Sequence, residues 1–140
     1  MISPPTAPTH RKVSQTLLNN YDPFQHAEKL NVTVRWKELP HDIFGLWTGQ
    51  QVLIDPRLST RQIRCTLGHE LVHVELDEPY LHKSYAARIE KRCDRVASAR
   101  LIDSSEYTKL ARIYPDNLPL LAVELGVTQE MLETYIKHHK

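Results

Sequence analysis

The sequence predicts an α+β fold: a small, mostly antiparallel sheet followed by helices. Three observations predict it. Val32, Val34 and Trp36 alternate with Thr33, Arg35 and Lys37, which is the period of a strand. The stretch IFGLWTGQQVLIDP holds two short apolar runs around a turn at Thr48–Gln51, so it reads as a strand pair. From Ser59 onward, apolar residues recur at helical spacings.

The bulk properties set the frame. A chain of 140 residues with 41% apolar content is one ordinary domain with one real core. A formal charge of +1 gives no global field pointing to nucleic acid or a membrane. No apolar run is long enough for a transmembrane helix. The first residues, MISPPTAPTHRKV, have three prolines and no apolar core, which reads as a flexible tail and not a signal peptide. Cys65 and Cys93 are the two cysteines, both within helical patterns and with no CxxC pair. They read as reduced, partly buried thiols of a cytoplasmic protein, with a single disulfide as the alternative.

The elements follow in order. Residues 1–12 form the tail, and Val13 to Asn20 suits a helix. Asp22 caps a second helix, with Pro23 at its first position. The strands come next. Ser59 and Gln62 then form a capping box that opens a helix reaching about Leu76. Its apolar residues, from Ile63 to Leu76, spread almost all the way round, which marks a buried helix. A long helix over roughly Lys83 to Ile102 has an apolar stripe of Tyr85, Ala86, Ile89, Cys93, Val96, Ala97 and Leu101. Arg88, Lys91, Arg92 and Arg95 make its solvated face. Gly126 ends one short C-terminal helix and Thr128 caps the next. The expected organisation is a main domain over 13–114 with a helix-turn-helix-like pair, 115–140, packed on it.

The buried helix contains His69-Glu70-Leu71-Val72-His73. Residues four apart share a helix face, so His69 and His73 can hold one ion through two ring nitrogens. Glu70 projects beside them, near enough to take a proton from a metal-bound water without itself binding the ion. HExxH arises by chance in roughly three of a hundred shuffles of such a composition, a weak filter alone. The plain alternative is a buried helix whose histidines bond backbone or carboxylates. His10, His26, His41, His138 and His139 read as surface residues.

A catalytic zinc site needs a third protein ligand. Glu75, Asp77, Glu78, His82, Glu90 and Asp94 are the downstream choices. Glu90 falls in the apolar arc of the second long helix, where a carboxylate is costly unless paired or metal-bound. Asp94 sits one turn on, suited to steadying a histidine ring.

Taken in order, AEKLNVTV, GLWTGQQVLIDPRLS, TLGHELVH and EKRCDRVASARLI resemble the ImmA/IrrE family of small HExxH metallopeptidases, from about Asp22 to Ile136. The resemblance implies a minimal zincin-like fold, His69, His73 and Glu90 as metal ligands, and Glu70 as general base. It implies Zn2+, with Mn2+ open because two histidines and a carboxylate suit both. It further implies a protein substrate, a helix-turn-helix repressor of a phage or other mobile element. The sequence departs where family members often have Ala-Asn, at Cys93 and Asp94, and where LIDSS replaces a Leu-Leu-Met-Pro-like end.

The reading that leads is a cytoplasmic zinc endopeptidase acting on such a repressor. The alternatives are a metal-binding DNA-binding regulator and a binder that sequesters a repressor without cutting it. Intact Glu70 favours catalysis, since a structural site needs no base. Helix 129–139 carries Glu130 and Glu133 and few basic residues, a poor surface for phosphates, so its expected role is packing or substrate recognition and not DNA contact. Tyr80, His82, Tyr85 and Tyr107 are the choices for a transition-state donor. The short strands before the motif are expected to leave one edge facing the metal, where an extended peptide can pair.

Overall fold

Asp22 accepts a hydrogen bond from the Phe24 amide, and Pro23 follows at the first helical position, so helix α1 (Pro23–Lys29) starts where its cap dictates. In the computed structural model, which describes residues 21–77 and 83–139, three strands follow: β1 (Thr33–Trp36), β2 (Gly45–Trp47) and β3 (Gln51–Ile54). Five more helices complete the described residues: α2 (Thr60–Leu76), α3 (Lys83–Leu101), α4 (Ser104–Ile113), α5 (Leu118–Leu125) and α6 (Gln129–His139). The tail over 1–12 and the helix expected at Val13–Asn20 lie outside the described residues. The α+β class stands, and no described helix is long and apolar enough to cross a membrane.

The sheet corrects one expectation. It is mixed, not antiparallel: its order is β1-β3-β2, with β2 antiparallel and β1 parallel to β3. The tight turn at Thr48–Gln51 forces β2 and β3 antiparallel, and Thr48 fastens that turn to Gln51. The link from Lys37 to Phe44 then carries the chain across the end of β3, so β3 enters between the two earlier strands. Alternation reveals a strand but not its neighbour. Asp55 steadies this link by accepting from the Leu39 amide and from the Arg57 backbone and guanidinium. Those Arg57 bonds hold the Asp55 carboxyl well below the usual carboxylate range.

Helix α2 is the centre of the molecule. Its capping box forms as the sequence predicts: the Gln62 amide donates to Ser59 Oγ, and the Ser59 amide to Gln62 Oε1. One face packs on the sheet and α1 through Leu67 and Leu71, which meet Ala27, Trp47, Val52 and Ile54. The opposite face presents Cys65 and Val72 to a second cluster with Cys93, Ala97, Leu101, Leu121 and Leu132 of the C-terminal helices. Two cores on opposite faces explain why the helix is apolar all round.

The C-terminal pair forms where expected. Gly126 takes a left-handed conformation (φ 74°) after α5, and Thr128 Oγ1 accepts from the Met131 amide at the start of α6. The pair is clipped to α2 by Arg61, which donates to the Val127 carbonyl, and by Arg64, which donates to those of Gly126 and Leu101. Helix α4 has no counterpart in the sequence reading. Asp103 caps it by accepting from the Glu106 amide.

Candidate metal and catalytic centre

His69 and His73 project from one face of α2 with ring centroids 5.0 Å apart. Glu90 of α3 reaches across to both: Oε1 lies 2.8 Å from His69 Nε2, and Oε2 lies 2.8 Å from His73 Nε2. One carboxylate thus gathers two imidazole nitrogens from a neighbouring helix. Asp94, one turn along α3, accepts from His69 Nδ1 at 2.7 Å. Both carboxylates can only accept, so Nδ1–H donates to Asp94 and Nε2–H to Glu90; it is the Nε2 proton that a bound metal would displace, with Asp94 keeping the one on Nδ1. Burial works against a charged His69 ring, but the bonds to Asp94 and Glu90, with the charge of Glu70, raise it to about 10. The same ring, then His73, holds Glu90 well below the usual range.

One ground for singling out Glu90 is overturned. Its side chain is 51% exposed, so it is not a carboxylate stranded in apolar surroundings. The apolar arc of α3 opens at its N-terminal end into a recess lined by Ala86, Glu90, Glu70, His73 and β2, of about 200 Å3. What holds Glu90 is its pairing, not burial.

Glu70 is 9% exposed and sits between this recess and a larger groove. Burial pushes its carboxyl up, while the two histidines and the Trp47 amide oppose the shift. A carboxyl raised above its ordinary value is better suited to accepting and then returning a proton. The Trp47 amide reaches Glu70 because of the register of β2. Phe44 O accepts from the Asp55 amide and Thr48 N donates to Gln51, so positions 44, 46 and 48 face β3. The backbone groups of Gly45 and Trp47 therefore face the open side. β2 is an edge strand, and no other described strand covers it.

The larger groove, about 950 Å3, runs from Ile43–Gly45 past Thr66, His69 and Glu70 to Val123 of α5 and Glu130, Met131 and Thr134 of α6. Ile43, Phe44 and Val123 are exposed at its lips. Gly45 fixes the gap between β2 and α2: a Cβ there would stand 2.5 Å from Thr66 Cγ2 and 3.2 Å from Glu70 Cγ. Gly45→Ala is expected to force the strand outward, with destabilisation of about 1–3 kcal/mol. A fall in thermal midpoint together with reduced hydrolysis would confirm it; an unchanged midpoint would show that the gap adapts.

The remaining sequence choices separate. Glu75 pairs with His26 and Arg100, and Asp77 ends α2 in a left-handed conformation. His26, expected at the surface, is packed between Tyr21 and Glu75. Tyr107 packs at a tilt against Tyr135 in the C-terminal core. Glu78, Tyr80, His82 and the Tyr85 side chain lie outside what the structure describes. The sequence reading missed Cys93 as a member of the centre. Its sulfur and one nitrogen each of His69 and His73 lie within 4.8 Å of one another. Spacing held the signal, since Cys93 is one helical turn from Glu90. Both cysteines are free thiols.

Two imidazoles, a carboxylate and a thiol drawn together from two helices make a donor set that fits a transition-metal ion. No curated protein matches the chain. The family model for the peptidase M78, IrrE N-terminal-like domain matches residues 27–137. That span takes in the sheet, both helices of the centre and the C-terminal pair, and the chain belongs to this metallopeptidase family.

Proposed function

We propose that this protein is a zinc-dependent endopeptidase whose substrate is a helix-turn-helix transcriptional repressor. The observation that carries the reading is the convergence of His69 and His73 on Glu90, with Glu70 beside them beneath an open strand edge. Family membership supports peptide hydrolysis, and the resemblance to repressor-inactivating members supports the substrate class.

His69, His73 and Glu90 would hold the ion. When bound, the ion supplies Lewis acidity, polarising the scissile carbonyl and making water a nucleophile near neutral pH. Glu70 takes the proton of that water and returns it to the departing amine. Asp94 keeps the His69 ring in the tautomer that leaves Nε2 available. The outward-facing backbone groups of Gly45 and the Trp47 carbonyl receive an extended substrate backbone as an added strand. The groove beyond, bounded by α5 and α6, receives the flanking substrate residues. Such a role for α6 agrees with its acidic residues, which suit a protein better than a phosphate backbone.

Co-expression with a helix-turn-helix repressor encoded beside this gene, followed by mass spectrometry, tests the substrate. Fragments are expected with the wild type and none with Glu70→Gln. An intact repressor beside fully metal-loaded wild type would exclude it. For the supporting role of Asp94, Asp94→Asn is expected to lower metal affinity about 10–100-fold, read by competition with a chromogenic chelator. Unchanged affinity would remove Asp94 from the centre.

A further inference from the structure

The proposed chemistry uses His69, His73, Glu90 and Glu70, and leaves one donor atom in the same place without a task. Cys93 is three residues beyond Glu90 on α3, on the same helix face. Its sulfur and one ring nitrogen from each of His69 and His73 are within 4.8 Å of one another. Donors on a tetrahedral zinc, with bonds of about 2.0–2.1 Å to nitrogen and 2.3 Å to sulfur, lie about 3.4–3.6 Å apart.

Most buried cysteines are small apolar fillers. This one is fully excluded from solvent, unbridged, and set beside two imidazoles and the carboxylates of Glu90, Glu70 and Asp94. That concentration of negative charge and nitrogen donors favours a cation. We propose that Cys93 Sγ is a direct donor to the ion held by His69 and His73, and that this soft ligand makes the centre select zinc over manganese. The inference rests on the reading that an ion is held by these histidines. The metal–sulfur bond would form as the S–H bond breaks, the incoming ion displacing the proton, which leaves the buried site and is taken up by buffer. Sulfur and nitrogen ligation favours zinc, whereas manganese favours oxygen. Sulfur ligation occupies a coordination position that a catalytic site keeps for water, so the sulfur-bound form is a resting one.

Cobalt substitution tests this in the intact protein. Wild type and Cys65→Ser loaded with Co2+ should both show the intense near-ultraviolet band of thiolate-to-cobalt charge transfer. Cys93→Ser should lose that band and keep the weaker visible bands of His-bound cobalt. In competition titrations, Cys93→Ser should also lose at least tenfold of the wild-type preference for zinc over manganese. Wild type that binds one Co2+ without the charge-transfer band overturns sulfur ligation and leaves the His-Glu centre standing. Wild type that retains no Co2+ overturns both. An equal zinc-to-manganese ratio in wild type and Cys93→Ser overturns the selectivity.

Discussion

Glu70→Gln is expected to keep its metal and lose hydrolysis by on the order of 10²–10⁴-fold, the usual contribution of a positioned general base. The two side chains have the same shape, so β2 and α2 should hold their spacing around Gly45. Glutamine cannot accept the proton of the attacking water. Stability should not fall. Burial raises the Glu70 carboxyl in the folded state, so ionisation above its folded pKa opposes folding, and the neutral amide mimics the protonated form. Cleavage rate, bound metal and thermal midpoint together decide the matter. A variant that cuts at the wild-type rate would remove Glu70 as the base, whereas one that loses metal would place it among the ligands.

Glu90→Ala should lose both tightly held zinc and activity. Each of its two oxygens meets a different imidazole, so its removal breaks the one carboxylate link, among the described residues, from α3 to both Nε2 atoms. The loss should exceed the 10–100-fold typical of a supporting partner such as Asp94. Dialysis against a weak chelator followed by metal analysis separates the cases: Asp94→Ala and His82→Ala should retain most of their zinc. Full occupancy in Glu90→Ala, with loss in either of the others, would move the third ligand elsewhere.

Much of the fold was legible because local chemistry dictated it. Asp22 with Pro23, Ser59 with Gln62, and Gly126 with Thr128 each mark a helix boundary through hydrogen bonds within a few residues. Sheet direction was not legible, because the partner of β1 arrives after a separate excursion through β2. Helix α4 could have been found from Asp103 and Glu106, a capping pair hidden by short apolar runs on either side. In the centre, His69, Glu70 and His73 came from spacing alone, and Glu90 came with them for a reason partly wrong. Burial does not select it; the geometry of two helices does. The place of Cys93 depended on which arc of α3 turns to α2, and an apolar stripe does not distinguish filler from donor. The groove was beyond reach, since its walls come from segments as distant as Ile43 and Thr134.

The arginine clips bear on how proteins of this design diversify. Arg61 and Arg64 grip carbonyls of the main chain at Leu101, Gly126 and Val127, not side chains. A peptide carbonyl is present whatever residue stands there. The docking of α5 and α6 therefore tolerates changes in the residues those helices show to the groove. On the proposed reading of the groove as a substrate site, recognition could drift at Val123, Glu130 or Thr134 while the geometry of His69, His73 and Glu90 stays anchored, so new targets would become reachable by substitution at one wall without rebuilding the other.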